Sequence, residues 1–172
     1  QRYPIRGLQV EGEGHRFYPN RTLAAPLIGF VAPDGDGRAG VELSMNQELE
    51  GKPAEIHGLR DRSGRLIFND GLESESALAG HNVTLTIDRA IQHAAERELD
   101  AALKTYEADG GAIIVMDPFN GEIIATARGT GYDPNDYGSA DPAHRRNRAV
   151  VDRYEPGSTM KIFTVSAALA QK

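Results

Sequence analysis

The chain has no cysteine among its 172 residues. That excludes disulfides, thiolate–zinc sites and thiol catalysis. It leaves the compartment open, because a cysteine-free chain serves in an oxidising or a reducing one. No apolar run approaches the roughly 20 residues that a membrane span needs, and no signal-peptide pattern is visible. An excess of basic residues is also lacking, for the formal net charge is −6. No nucleic-acid partner is expected, since phosphate binding wants a basic face. Arg145, Arg146 and Arg148 make a small basic cluster, read as a solvated loop. The histidines His15, His57, His81, His93 and His144 are scattered without metal-ligand spacing, so no metal site is expected. Gly110-Gly111 and Gly129-Thr130-Gly131 lack the strand–glycine–helix setting of a phosphate loop. No carboxylate pair stands out for glycoside hydrolysis.

What is present divides into two parts. In the first, short elements alternate with breakers. Residues 6–10 read as a strand. Residues 22–30 are helical in composition, though Pro26 interrupts them. Residues 41–49 suit a short amphipathic helix with Val41, Met45 and Leu49 on one face. Residues 56–60 and 65–68 flank Asp61-Arg62-Ser63-Gly64, a hairpin signal. Residues 69–80 are small and polar and read as a linker.

The second part has firmer periodicity. Val83, Leu85 and Ile87 alternate with threonines, the pattern of a half-buried strand. Asp88 is a candidate N-cap for a helix over residues 89–106. Ile91, Ala94, Ala95, Leu99, Ala102 and Leu103 make its apolar stripe, with Arg89, Glu96, Asp100 and Lys104 facing away. Gly110-Gly111 is read as its stop. Residues 112–116 and 122–127 read as strands joined by Asp117-Pro118-Phe119-Asn120-Gly121, a turn sequence in which Asp117 is a turn former. A long polar loop, residues 128–146, comes next. Strand, helix, hairpin and helix together predict an α+β fold, an antiparallel sheet covered by helices.

The stretch with most chemistry is Glu155-Pro156-Gly157-Ser158-Thr159-Met160-Lys161. A proline–glycine breaker precedes a run of helix formers, with a serine and a lysine three positions apart. On a helix such positions share a face, with Cβ atoms roughly 5–6 Å apart. A serine hydroxyl becomes a useful nucleophile when a nearby base takes its proton. A lysine amine serves as that base when burial or neighbouring cations lower its pKa. The N–H groups at a helix start favour negative charge developing at the serine. The plainer reading of the same residues is an ordinary helix start, with Ser158 or Thr159 as a cap. Glu155 sits where it favours the helix N-terminus and is given no catalytic role.

The longer context resembles the penicillin-binding proteins, in particular the class B D,D-transpeptidases. Asn147-Arg148-Ala149-Val150 with Tyr154-Glu155-Pro156-Gly157-Ser158-Thr159-Met160-Lys161 is similar to their first catalytic motif. The Glu-Pro-Gly-Ser-Thr-x-Lys form is most like the cell-division members. Val83-Thr84-Leu85-Thr86-Ile87-Asp88 with Ile91-Gln92 resembles the opening of their catalytic domain. Val115-Met116-Asp117-Pro118, Gly121-Glu122-Ile123-Ile124-Ala125 and Tyr132-Asp133-Pro134-Asn135 resemble the hairpin and loop after that opening. Arg16-Phe17-Tyr18-Pro19, Leu27-Ile28-Gly29, Gly40-Val41-Glu42 and Leu49-Glu50-Gly51 resemble their non-catalytic domain, where Arg16 and Tyr18 are expected to be domain-packing contacts. Gly129-Thr130-Gly131 departs from relatives that have a proline there.

The resemblance implies residues 1–78 as a non-catalytic pedestal domain. Residues 79–172 would be the first portion of a penicillin-recognising transpeptidase fold. Ser158 would be the nucleophile and Lys161 its base. Peptidoglycan stem peptides, β-lactam antibiotics and other division or cell-wall proteins are the implied partners, and the resemblance implies no metal or organic cofactor. The implied location is the extracytoplasmic face of the membrane, with an N-terminal anchor outside this sequence. The family completes its site with Ser-x-Asn and Lys-Thr/Ser-Gly motifs well downstream of the serine, and neither is in this chain. Gln1 and the helical pattern stopping at Lys172 make both ends read as cut. Strands missing from such a piece would leave Ile162, Val165 and Leu169 uncovered. Two other readings of the residues stay open: a hydrolase of the same fold that uses water, and a non-catalytic interaction module.

Overall fold

Asp88 sets the frame on which the rest is placed. Its carboxylate accepts the N–H groups of Ala90 and Ile91 at 2.8 and 2.9 Å, which satisfies two donors that a helix start leaves open. In the computed structural model, which describes residues 15–51, 58–60, 62, 66–69, 79–129 and 131–171, the helix so capped runs over Arg89–Tyr106. It ends at Glu107, whose left-handed backbone (φ 48°) returns its N–H to the Leu103 carbonyl. The stop therefore comes before the expected Gly110-Gly111.

The elements in chain order are α1 (Ala25–Ile28), α2 (Gly40–Ser44), α3 (Asn46–Leu49), β1 (Gly58–Arg60), β2 (Leu66–Asn69), α4 (Arg89–Tyr106), β3 (Ala112–Met116), β4 (Ile123–Arg128), α5 (Pro142–Arg145), α6 (Arg148–Val151) and α7 (Met160–Ala170). Strands β1 and β2 pair antiparallel, as do β3 and β4. The β3–β4 turn forms as its residues dictate. Asp117 Oδ1 accepts the Phe119 N–H, Asn120 Oδ1 accepts the Glu122 N–H, and Gly121 takes a positive φ of 79°.

Helix α4 lies across this hairpin. Ala95 and Leu99 pack on Ala125 and Ala127 of β4, with Leu103, Ile113 and Val115 against them. The alanines on β4 let the helix sit close, and alternation along β3 turns Ile114 and Met116 out to solvent. A second core joins Ala25 and Phe30 to Tyr132, with Tyr137 and Ala140 beside it. The Phe30 and Tyr137 rings stack at 4.1 Å, and Tyr132 meets Phe30 edge-on at 6.3 Å. Residues from both expected domains thus share one cluster.

Several expectations need correction. The segment Val83 to Ile87 alternates in burial as a strand would, yet it joins no ladder among the described residues. Asp88 N–H donates to the Ile124 carbonyl and Thr86 Oγ1 to that of Ile123. Beyond that point the β4 edge is occupied, because the Gln92 side chain takes both the N–H and the carbonyl of Thr126. Glu96 does not face away: it accepts the Ala24 N–H and a Gln92 Nε2 proton, each at 2.8 Å. Helix 41–49 is split in two at Met45 (φ −113°, ψ 23°), and of residues 22–30 only Ala25–Ile28 are helical. The loop after β4 holds a 3₁₀ turn over Pro134–Ser139 and helices α5 and α6. Arg145 is not solvated; its guanidinium lies 5.8 Å above the Phe30 ring and donates to the Ala140 carbonyl. Arg146 and Arg148 are exposed as that reading expects, Arg148 while paired with Asp152. The strand at residues 6–10, and most of the linker at 69–80, lie outside the described residues.

Candidate active site

Pro156 and Gly157 bring the chain into a helical turn. Gly157 takes a positive φ of 54°, a backbone state that glycine adopts without the steric penalty a Cβ carries. A 3₁₀ turn, Gly157–Thr159, runs straight into α7. The Thr159 N–H donates to the Pro156 carbonyl at 3.2 Å, and Thr159 Oγ1 donates to the same oxygen. No side-chain cap bond marks the start of the turn or of the helix. Ser158 lies in the turn, and Lys161 is the second residue of α7. The backbone between them is continuous and helical, so the expected one-turn spacing is present.

What the structure does not bring to them is cover. Every described residue from Asp152 onward is exposed, Ser158 and Lys161 included. The burial that makes a lysine amine a base does not come from the described residues. Helix α7 also carries apolar side chains around its circumference. Ile162, Phe163, Val165 and Leu169 are each more than half exposed. A helix apolar on all sides is a helix for a buried position. This agrees with the expectation that Ile162, Val165 and Leu169 lack their covering layer.

The clefts lie elsewhere. One of about 450 Å³ opens between Tyr18, Leu23, Ile28, Val83, Leu85 and Gln92. Another of about 300 Å³ is lined by Gly110, Arg128, Arg146, Arg148 and Asp152. Neither includes Ser158 or Lys161. Among the described residues no group of His, Asp and Glu is arranged to hold a metal ion, and no helix is long and apolar enough to cross a membrane.

Three polar contacts knit the parts together, and sequence reasoning missed them. Gln92 is fully buried and bridges α4, β4 and Glu96. Asn135 clamps the Tyr18 backbone, accepting its N–H through Oδ1 and donating Nδ2 to its carbonyl, both at 2.9 Å. Glu42 is buried against Arg16 Nε at 2.8 Å. The last bears on the packing role expected of Arg16. Tyr18 fits its expected packing role as well, its hydroxyl accepting the Val31 N–H. Burial, and then the nearby Glu42 carboxylate, raise the Tyr18 phenol well above its ordinary range. The one available signal was position: Gln92 falls four residues after Asp88, within the first turns of a helix whose apolar stripe it adjoins.

Residues 111–172 match the family described as penicillin binding protein transpeptidase domain. The chain is 42% identical over 166 residues to the probable peptidoglycan D,D-transpeptidase PenA of Neisseria meningitidis, covering 96% of this chain and 29% of that protein. It is 36% identical to the peptidoglycan D,D-transpeptidase FtsI of Escherichia coli, covering 96% of this chain and 28% of that protein. The chain thus spans under a third of the length of the curated relatives it matches. Penicillin binding protein 3 of Mycobacterium tuberculosis, solved in apo form and complexed with ampicillin, superposes with a TM-score of 0.71 in both states at 29% identity. The match covers 90% of this chain and 31% of that one.

Proposed function

We propose that this chain, which belongs to the class B penicillin-binding proteins, is the part of a peptidoglycan D,D-transpeptidase that links a pedestal to the nucleophile. Residues 1–78 are the pedestal and residues 79–172 the opening of the catalytic domain. Ser158 Oγ attacks the carbonyl of the penultimate D-alanine of a stem peptide while its proton passes to Lys161 Nζ. The peptide C–N bond breaks and the terminal D-alanine leaves with a proton. An amine of a neighbouring strand then attacks the acyl ester, forming the cross-link and freeing Ser158. The Ser158 backbone N–H and a second N–H from outside this chain hold the oxyanion. β-Lactams mimic the substrate and trap Ser158, a reading supported by the ampicillin complex of the Mycobacterium tuberculosis protein.

The observation that carries this is the continuous turn joining Ser158 to Lys161 at the head of an apolar helix. The uncovered α7 surface takes its missing wall, with the Ser-x-Asn and Lys-Thr/Ser-Gly groups, from the rest of the longer protein. A role in septal synthesis rests on the likeness to FtsI and the Glu-Pro-Gly-Ser-Thr-x-Lys form. The catalytic part then works outside the cytoplasm, tethered by an N-terminal membrane segment, and the pedestal docks other division proteins.

The test is covalent labelling of the longer protein by a fluorescent penicillin. An adduct that Ser158→Ala abolishes is expected, with release of D-alanine from a stem pentapeptide when an acceptor amine is supplied. Labelling that survives Ser158→Ala sinks the assignment. Rapid β-lactam turnover in place of a long-lived adduct points instead to the hydrolase reading.

A further inference from the structure

Resting on that reading, the reaction needs Ser158 fixed against the sheet, yet from Asp152 to the end of α7 every described residue is exposed. The nearest anchor is α6, which packs against both β3 and β4. Arg148 Nε donates to Asp152 Oδ2 at 2.5 Å, and the Asp152 N–H returns to the Arg148 carbonyl at 3.2 Å. This is the last ion pair along the described chain before the Ser158 turn. The guanidinium lies on the loop that opens β3. A Cβ placed on Gly110 would come within 2.7 Å of Arg148 Nη1. Arg128, at the end of β4, lines the same cleft and donates through Nη1 to the Ala143 and Arg146 carbonyls. That fastens the chain just before α6. Burial and then the Arg148 charge lower the proton affinity of Arg128, and Asp152 offsets them. Two guanidiniums side by side need that carboxylate.

We propose that Arg148 and Asp152 are a positioning pair. They lock the start of the Ser158 turn onto the Gly110 loop and so set where the nucleophile meets the acyl carbonyl. Neither touches substrate. Their effect falls on the acylation step more than on non-covalent binding, because a misplacement of about 1 Å costs on the order of 100-fold in rate.

The experiment measures acylation of the longer protein by a fluorescent penicillin, resolved into the binding constant and the first-order acylation rate, together with Tm. Asp152→Asn and Arg148→Met are expected to lower the acylation rate by about 10- to 100-fold with the binding constant little changed. Arg148→Lys restores part of the loss by keeping the charge. The double variant falls no further than the worse single one, as coupled residues do. Gly110→Ala leaves both charges in place and moves only the guanidinium, so it reports on seating where other variants fold poorly; a fall in the same rate is expected. Unchanged acylation in these variants, or a loss that only tracks the folded fraction, overturns the role of the pair. If the unsubstituted protein is not acylated at Ser158, the reading of Ser158 fails first and the pair's role with it.

Discussion

Gln92 uses its side-chain amide as a strand would use its backbone: Oε1 accepts the Thr126 N–H and Nε2 donates to the Thr126 carbonyl, both at 2.8 Å. The same Nε2 reaches Glu96, which holds the Ala24 N–H. One fully buried glutamine thereby ties α4 to the sheet and, through Glu96, to the segment carrying α1.

Gln92→Met keeps the volume and removes the amide. It strands a backbone donor and acceptor away from water, at about 1–3 kcal/mol each. The expected loss is about 3 kcal/mol of unfolding free energy, read by urea denaturation, with Gln92→Ala worse by the cavity it adds. A loss below about 0.5 kcal/mol would show that water replaces the amide there.

Asn135 repeats the device on Tyr18. Asn135→Ala frees the Tyr18 N–H, and its hydrogen exchange is expected to quicken by about 10-fold, the equivalent of roughly 1.4 kcal/mol of local protection. Exchange at Leu99, in the other core, should stay as it was. Equal acceleration at both sites would mean the whole fold had loosened.

How much of this was legible in the sequence depends on the range of the interaction. Asp88 and its helix, the Asp117–Gly121 turn and the Ser158–Lys161 spacing are local, set by residues within a few positions of each other, and all appear as read. Glu96 looked like an outward carboxylate and Gln92 was given no packing role, because their partners Ala24 and Thr126 are distant in sequence. The segment Val83 to Ile87 kept its two faces but formed no ladder among the described residues, since a side chain already held the β4 edge. The surroundings of Ser158 were not legible for the same reason: what encloses a side chain comes from parts of the chain distant in sequence.

Tyr132 is buried, donates to the Ala25 carbonyl at 3.3 Å and has its phenol pushed up to about 12 by burial, with Arg145 pulling the other way. An unfolded tyrosine ionises near 10. Its contribution is therefore fully present below about pH 10 and drains away as pH rises toward 12. Tyr132→Phe removes this titration. The variant's stability should fall less steeply than the parent's between pH 10 and 12, in denaturant melts at fixed ionic strength. Parallel curves would exclude Tyr132 as a source of the alkaline loss.

Helix α7 gives the isolated chain a surface that invites association, with Ile162, Phe163, Val165 and Leu169 all open to water. Phe163→Glu with Leu169→Glu is expected to shift the 172-residue chain toward monomer in sedimentation experiments while leaving its Tm little changed, because both side chains are more than half exposed. A large drop in Tm would mean that α7 is packed after all.

The 172-residue chain by itself should resist acylation. Ser158 and Lys161 are exposed, and groups that act as a catalytic unit lose most of their effect when partners are removed. Water competes for the Ser158 hydroxyl, and none of the described residues forms a low-dielectric wall that would strengthen the electrostatics around it. Incubation with a labelled penicillin, followed by intact-mass measurement, is expected to give unmodified protein under conditions where the longer protein is labelled to completion. Stoichiometric label on Ser158 in the short chain would place the whole acylation machinery within residues 1–172, and the missing-wall account of the exposed helix would have to be abandoned.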